Sequence, residues 1–260
     1  MPHVHPVFRD GLFAGKRVLV TGGATGIGFA IAQGFAGLGA KVTVLSRNEE
    51  HLKDAVAKLG KDAAYHVADV RDAAAIAAAA KSVGPQDVVV NAAAGNFPVP
   101  FDAMTENAWR TVIDIVLHGT ANVCRSFGPG LKDRKGAMLN IVAGYAWTGS
   151  PGVSHSGAAK AGVLNLTKSL AVEWAPNVRV NAVSPGPIDG TEGMKRLGDD
   201  LGLRPAVEKS VPLRRMGTPD EVANACLFLA SPGASYVTGT CVVVDGGQDA
   251  KGPFGDLLTG

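Results

Sequence analysis

A glycine-rich loop stands between an apolar run and a helical pattern near the start of the chain. Lys16–Thr21 reads KRVLVT, a run suited to a strand that is buried on both faces of a parallel sheet. Residues 22–28 follow as Gly-Gly-Ala-Thr-Gly-Ile-Gly, and a helical pattern continues to Leu38. Glycines let the backbone turn tightly and approach a ligand, and a helix N-terminus favours negative charge. This order predicts an open α/β sheet that receives a pyrophosphate at its carboxyl edge.

Strand and helix patterns alternate along the rest of the chain. The run KVTVLS at Lys41–Ser46 predicts the second strand, at the distance expected for a strand–helix–strand unit. Five further segments are expected to form strands, at residues 64–68, 87–90, 137–142, 177–183 and within 235–245. The order predicts an α/β, Rossmann-like, doubly wound sheet of seven parallel strands with helices on both faces.

Length and charge limit the class of protein. A chain of 260 residues that is 46% hydrophobic can bury one sizeable core, so we expect a single domain over residues 1–260. The 25 basic and 23 acidic side chains nearly balance, which gives no support to a nucleic-acid or membrane-surface partner.

The cysteines indicate a reducing compartment. Cys124, Cys226 and Cys241 form no close pair, so we expect buried free thiols and neither a disulfide framework nor a metal site. No run is long and apolar enough to span a bilayer, and the first residues lack the pattern of a signal peptide. The simplest expectation is a cytoplasmic protein without a metal.

The end of the second predicted strand favours one nicotinamide cofactor over the other. In NAD-binding sites this end carries an Asp or Glu that holds the ribose diol. Here Ser46 stands at that place and Arg47 follows. A guanidinium pairs with a 2′-phosphate that a carboxylate would repel, which predicts NADPH/NADP+. The alternative is that Arg47 is a solvated surface residue. Asn48 is a further hydrogen-bond candidate.

Residues 145–160 carry the chemistry, and they read Tyr-Ala-Trp-Thr-Gly-Ser-Pro-Gly-Val-Ser-His-Ser-Gly-Ala-Ala-Lys. Together with the glycine loop, this segment resembles the short-chain dehydrogenase/reductases. Most members of that family carry a Tyr four residues before an active-site Lys, and a Ser thirteen residues before that Tyr. Here Lys160 is kept, but Ser156 and Ala143 occupy the other two places. A serine cannot replace a phenol, whose pKa starts near ~10 and can be lowered by a neighbouring Lys⁺.

Tyr145, eleven residues before Ser156, is the candidate replacement. A displaced Tyr with Ser-x-x-x-Lys behind it resembles the NADPH-dependent 2,4-dienoyl-CoA reductases. The Ala-Ala-Gly-Asn-Phe segment at residues 93–97 and the Pro-Gly-Pro-Ile and Gly-Thr-Glu-Gly segments at residues 185–193 carry the same resemblance. It implies conjugate reduction of an acyl-CoA thioester, from 2,4-dienoyl-CoA to 3-enoyl-CoA, in β-oxidation of unsaturated fatty acids.

The resemblance also implies the roles of individual residues. The catalytic candidates are Tyr145, Lys160, Ser156 and His118. His118 stands where mitochondrial-type reductases carry an Asn that assists the tyrosine, and a helix-packing histidine is the alternative. The substrate-binding candidates are Asn96, Phe97 and Thr191; for the first two the alternatives are a loop turn residue and a core aromatic. Residues from Thr191 to about 211 are expected to form a helical lid, whose Lys195, Arg196 and Arg204 either meet CoA phosphates or are solvated.

The cofactor candidates follow the glycine loop and the strand ends. They are Thr21, Gly22, Thr25, Gly26, Ile27, Gly28, Arg47, Asn48, Asp69, Val70, Asn91, Ala92, Ala93, Lys160, Pro185, Gly186 and Ile188. A homotetramer is implied by resemblance alone.

Two rival functions remain open at the level of sequence. A carbonyl reductase or alcohol dehydrogenase would use Tyr145 on ketones or alcohols without any thioester. A non-catalytic NADP(H) sensor would fit the loss of the family's usual Ser, Tyr and active-site Asn, whose places are taken here by Ala143, Ser156 and Val116. The retained Lys160 and the repositioned Tyr145 argue against the sensor.

Overall fold

The structure of the protein, a computed structural model, describes residues 7–251, with only the backbone considered at residue 197. Seven parallel strands form one sheet in the order β3-β2-β1-β4-β5-β6-β7. The strands are β1 Arg17–Thr21, β2 Lys41–Ser46, β3 Ala64–Val67, β4 Val88–Asn91, β5 Ala137–Ile141, β6 Arg179–Pro185 and β7 Cys241–Val244. The predicted seven-stranded parallel sheet is confirmed.

Helices cover both faces of the sheet, which explains why its central strands are apolar without alternation. Val18 and Val20 of β1 face one core, and Leu19 between them faces a second core on the other side. The α-helices are α1 Gly26–Gly37, α2 Glu49–Leu59, α3 Ala73–Val83, α4 Glu106–Ile113, α5 Gly119–Arg134, α6 Ser154–Glu173, α7 Glu192–Met194, α8 Arg204–Ser210 and α9 Pro219–Ala230.

A π-helical turn at Asp114–His118 joins α4 to α5. The close packing at the start of α5 depends on Gly119, because a methyl group there would lie 2.6 Å from a side-chain methyl of Val70. Asn122 of the same helix donates to the Val70 carbonyl at 3.0 Å. These contacts press α5 against the loop that follows β3.

Within residues 7–251, no helix combines the length and the apolar character needed to cross a bilayer. Over the same residues, no three His, Cys, Asp or Glu side chains converge as metal ligands. Cys124 and Cys226 are buried free thiols, and Cys241 is half-buried.

Candidate active site

A cleft of about 1600 Å³ opens at the carboxyl edge of the sheet. Strands β1 and β4 are neighbours at its centre, where the strand order changes direction. Open α/β sheets bind ligands at this switch point. The walls of the cleft come from the glycine loop, the ends of β2 to β6, the turn after β5, the lid segment and the turn after β7.

The glycine loop packs closely against neighbouring backbone, and this packing leaves no space for side chains at two of its glycines. Gly22 has a φ of +66°, and a methyl group there would lie 2.8 Å from the Ala93 backbone. A methyl group on Gly28 would lie 2.2 Å from the carbonyl oxygen of Gly22. The Thr25 N-cap of α1 makes no side-chain cap hydrogen bond, and the first turn carries no acidic residue. This cradle fits a pyrophosphate.

A charged group stands where the second strand ends. Arg47 is 60% exposed, and its Nη1 lies 3.8 Å from Oδ2 of Asp69. Arg71 holds the same carboxylate at 2.7 Å and is the main reason that the pKa of Asp69 is lowered. Asn48 caps α2 by accepting from the His51 amide at 3.0 Å. Arg47, Asn48 and Asp69 all line the cleft.

Two predicted cofactor residues lie beneath the cleft and not along it. The buried Thr21 hydroxyl accepts from the Ala93 amide at 3.3 Å. Buried Asn91 donates to Asn140 at 2.8 Å, which in turn donates to Thr167 at 2.9 Å. Their polar groups are used in hydrogen bonds between strands and helices within the protein, and they do not reach the wall of the cleft.

Tyr145 enters the cleft from a single 3₁₀ turn, Gly144–Ala146, directly after β5. Asn96 Nδ2 donates to its hydroxyl oxygen at 3.4 Å, and Ser156 Oγ donates at 3.5 Å. Since both neighbours donate, the phenol keeps its own hydrogen for a third group. Helix α6 sits close behind, because a methyl group on Gly157 would lie 3.0 Å from the Tyr145 carbonyl oxygen.

Lys160 stands one helical turn after Ser156 and lines the same cleft. Its buried ammonium donates to the Ile141 carbonyl at 2.5 Å. Burial lowers the pKa of Lys160 to about 8. The ammonium is therefore fixed by one hydrogen bond at the floor of the cleft, where it is poorly solvated.

Tyr145 is less acidic than a free phenol. Burial raises the pKa of Tyr145 and outweighs the hydrogen bonds from Ser156 and Asn96, which lower it. Desolvation of the phenolate is the dominant effect. Tyr145 is a neutral hydrogen-bond donor at neutral pH.

The predicted substrate residues divide into two groups. Asn96 and Thr191 line the cleft, whereas Phe97 does not. Phe97 packs edge-on against His155, with ring centroids 4.9 Å apart. His118 is also absent from the cleft wall, and its 63% exposed side chain pairs with Asp114 at 2.8 Å. The structure therefore does not bring His118 to Tyr145, because its ring nitrogen is bonded to Asp114 one helical turn away, outside the cleft.

The lid segment carries α7, a π-helical turn at Lys195–Asp199 and α8. Arg204, the first residue of α8, fixes the start of this helix by donating to Asp199 at 2.7 Å and to Asp189 at 2.8 Å. Arg196 instead lines the cleft and donates to the Asn96 carbonyl at 3.3 Å. Only Arg196 of these two is placed to meet a ligand.

Two features of the site were missed by sequence reasoning. Ser184 lines the cleft, and its buried hydroxyl has no hydrogen-bond partner among the described residues. Its place at the carboxyl end of a strand, directly before Pro185, was an available signal. Trp147 donates to Asp249 at 2.8 Å and ties the Tyr145 turn to the turn after β7. A separation of 102 residues left no local signal for that contact.

Fold and cleft together define a dinucleotide-dependent oxidoreductase with a tyrosine and a lysine at its centre, and comparison with known proteins gives the same class. A family model described as Enoyl-(Acyl carrier protein) reductase matches residues 22–249. A probable 2,4-dienoyl-CoA reductase [(2E)-enoyl-CoA-producing] of Bacillus subtilis is 44% identical, over 90% of this chain and 96% of the relative. The peroxisomal 2,4-dienoyl-CoA reductase [(3E)-enoyl-CoA-producing] of Rattus norvegicus is 42% identical, over 94% of this chain and 87% of the relative.

Among solved structures, a short chain dehydrogenase from Bacillus anthracis is 40% identical, with a TM-score of 0.82 over 90% of this chain and 96% of that one. The chain belongs to the short-chain dehydrogenase/reductase family, and it is an oxidoreductase of the kind that uses a nicotinamide cofactor. The resemblance inferred from residues 91–97, 145–160 and 185–193 is confirmed.

Proposed function

We propose that this enzyme reduces 2,4-dienoyl-CoA to 3-enoyl-CoA with NADPH, in the β-oxidation of unsaturated fatty acids. The observation that carries the proposal is the placement of Tyr145, which reaches the cleft from the turn after β5 and is hydrogen-bonded by Asn96 and Ser156. The similarity to 2,4-dienoyl-CoA reductases over most of the chain supports it and does not favour a ketone reductase or a sensor.

The site stabilises charge on a thioester oxygen. When bound, NADPH supplies the hydride, which adds to the δ-carbon of the diene. The electron pair then moves through the diene to the thioester oxygen, giving a dienolate. The neutral Tyr145 hydroxyl donates to that oxygen, and the Asn96 amide beside it adds a second polar group. Protonation at the α-carbon, by Tyr145 or a water that it orients, gives the 3-enoyl thioester.

Lys160 and Ser156 act from the side of α6. The Lys160 ammonium would hold the nicotinamide ribose, and it gives this end of the cleft a positive potential. Ser156 is buried and does not line the cleft, so its contact is with the Tyr145 hydroxyl and not with the cofactor. Pro185, Gly186 and Ile188 line the cleft beside the unpartnered Ser184 hydroxyl, where the nicotinamide carboxamide would bind.

The position of the product double bond is part of the proposal. The relatives' names differ on this point, since the Bacillus subtilis protein is named for a (2E)-enoyl product and the rat protein for a (3E)-enoyl product. Protonation at the α-carbon leaves the double bond between the β- and γ-carbons. Proton NMR of the product formed in deuterated water decides it, because a 3-enoyl product carries its solvent deuterium at the α-carbon.

The activity test compares three compounds in an NADPH oxidation assay. We expect turnover of 2,4-hexadienoyl-CoA and little with crotonyl-CoA or a simple ketone. Turnover of the ketone alone would instead make the enzyme a carbonyl reductase. Tight NADPH binding without any turnover would favour a sensor.

Replacing Arg47 tests the choice of cofactor. The exposed Arg47 guanidinium lies at the mouth of the cleft, where it would bind a 2′-phosphate. Because charge-assisted hydrogen bonds contribute about 1.5–3 kcal/mol, Arg47→Ala should raise the Kd of NADPH by roughly 10- to 100-fold. NADH titration of the same variant is the control, because NADH lacks the phosphate. An equal loss of NADPH and NADH affinity would contradict the assignment.

Replacing Arg204 tests the lid. Arg204→Ala removes the bonds to Asp189 and Asp199 that fix the base of α8. We expect a higher KM for the dienoyl thioester, since a loosened lid orders its substrate less well, and an unchanged Kd for NADPH. Arg110→Ala is the matched control, because Arg110 makes a surface ion pair with Glu106 away from the cleft. Equal KM values for the two variants would refute a lid function.

We also propose a cytoplasmic homotetramer. Val172 of α6 is 80% exposed and Tyr236 is 103% exposed, and such apolar surface favours association between copies. Sedimentation velocity of the purified protein tests the assembly, and a monomer would contradict it.

A further inference from the structure

Two rings lie directly behind the residues that hold Tyr145. Phe97 follows Asn96 in the chain, and His155 precedes Ser156. The Phe97 and His155 rings meet edge to face, 4.9 Å apart at their centroids and inclined by 72°. Asn96 and Ser156, the two hydrogen-bond donors to Tyr145, are therefore each next in the chain to one member of this ring pair.

The bonding of Asn96 depends directly on Phe97. The Phe97 amide donates to Asn96 Oδ1 at 2.9 Å, which turns Nδ2 of Asn96 toward the Tyr145 hydroxyl at 3.4 Å. A shift of the Phe97 backbone would rotate this amide. The ring contact with His155 joins Phe97 to the first turn of α6, and Phe97 also packs against a cluster that includes Ala159 and Val163 of the same helix.

His155 makes no hydrogen bond of good geometry in the part of the chain that the structure describes. Its side chain is fully buried, neither ring nitrogen has such a partner there, and the nearby Val153 backbone only partly opposes the effect of burial on the pKa of His155. Burying an unpaired imidazole opposes folding, so a leucine or phenylalanine would be the stabler choice for packing alone. Burial lowers the pKa of His155, which keeps the ring neutral at pH 7.

We propose that Phe97 and His155 are positioning residues, which jointly hold Asn96 and Ser156 at the hydroxyl of Tyr145. This role deepens the proposed function and replaces the substrate contact predicted for Phe97. The pair joins the loop after β4 to the first turn of α6, the two segments between which the Tyr145 hydroxyl is held.

The chain offers a direct readout of this arrangement without any substrate. It contains three tyrosines, and Tyr65 and Tyr236 are exposed. Incorporating 3-fluorotyrosine thus gives three ¹⁹F NMR signals, which Tyr→Phe variants assign. We expect Phe97→Ala and His155→Ala to move the Tyr145 signal in the direction seen with Asn96→Ala and Ser156→Ala.

The matched control is Phe13→Ala. Phe13 and Phe35 form a similar edge-on pair, 4.8 Å apart, in the core on the other side of the sheet. This variant should lower Tm and leave the Tyr145 signal in place. Should Phe97→Ala fail to fold, Phe97→Leu keeps an apolar side chain while removing the ring edge. An unmoved Tyr145 signal in the folded pair variants would overturn the proposal.

Activity provides the second readout. Because small displacements of a catalytic group cost up to about 100-fold, His155→Ala should lower kcat by roughly 10- to 100-fold while the Kd of NADPH stays the same. The loss should be much smaller in a Ser156→Ala background, since both changes act through one hydroxyl. Equal losses in both backgrounds would refute the proposal. If the wild-type enzyme does not reduce 2,4-hexadienoyl-CoA, the proposed function fails, and the ¹⁹F comparison still decides the role of the pair.

Discussion

Replacing Tyr145 by phenylalanine should lower kcat for 2,4-hexadienoyl-CoA by about 100- to 1,000-fold, the loss typical for one donor to an oxyanion. The phenol is the group whose hydrogen remains free, because Asn96 and Ser156 both donate to its oxygen. Phenylalanine keeps the ring and removes only this donor. The Kd of NADPH should change by less than about twofold, because the lost hydrogen bond forms only to the charged oxygen of the transition state and not to the cofactor.

Tyr236→Phe is the control for that experiment. Tyr236 belongs to no part of the cleft, and phenylalanine keeps the ring that the proposed association would use, so the variant should keep wild-type kcat. Steady-state kinetics and fluorescence titration with NADPH provide both quantities. Undiminished turnover by Tyr145→Phe would show that another group stabilises the dienolate.

Replacing Lys160 by methionine should separate activity from stability. Turnover should fall by at least about 100-fold, because the buried ammonium is the positive group at the floor of the cleft. Yet the cofactor-free protein should become more stable at pH 7. Burial lowers the pKa of Lys160 from 10.5 to about 8, so keeping the lysine charged costs the native state about 3 kcal/mol. Loss of the bond to the Ile141 carbonyl offsets part of that gain.

The sign of the pH dependence follows from the lowered pKa. Between pH 8 and pH 10.5 the unfolded chain binds more protons at this lysine than the native protein, so the wild type gains stability as pH rises. The advantage of Lys160→Met should be largest at or below pH 7 and should shrink by pH 9.5. Urea unfolding at both pH values measures it, with Lys168→Met, an exposed position of the same helix, as the control. A pH-independent difference would show that Lys160 is not the titrating group.

Local patterns were enough to predict the sheet and part of the site. Uninterrupted apolar runs such as those of β1 and β4 are typical of strands buried on both faces. All seven strands lie in the segments predicted for them, although β3 is largely exposed. The glycine loop was readable because its backbone packing excludes side chains at Gly22 and Gly28. Ser156 and Lys160, four residues apart on one helix, necessarily share a face.

Contacts between distant segments decided the rest. Whether Phe97 meets substrate or protein depends on His155, which lies 58 positions further along the chain in another element. Thr21 and Asn91 sit at the predicted strand ends, but their side chains turn beneath the cleft to bond Ala93 and Asn140. Such directions follow from packing and hydrogen bonding across the sheet, and neighbouring sequence does not encode them.

The sequence by itself determined the doubly wound sheet, the cofactor loop and the replacement of the family's usual tyrosine by Tyr145, because each rests on periodicity or on spacing along one element. Only the tertiary structure decided that His118 lies outside the cleft wall, that the Ser184 hydroxyl is buried without a partner among the described residues, and that the pKa of Tyr145 is raised. Burial sets the last two properties, and it arises only when segments far apart in the chain pack together. His118 bonds Asp114 within one helical turn, but only the packing of that turn decides which of its side chains meet the cleft.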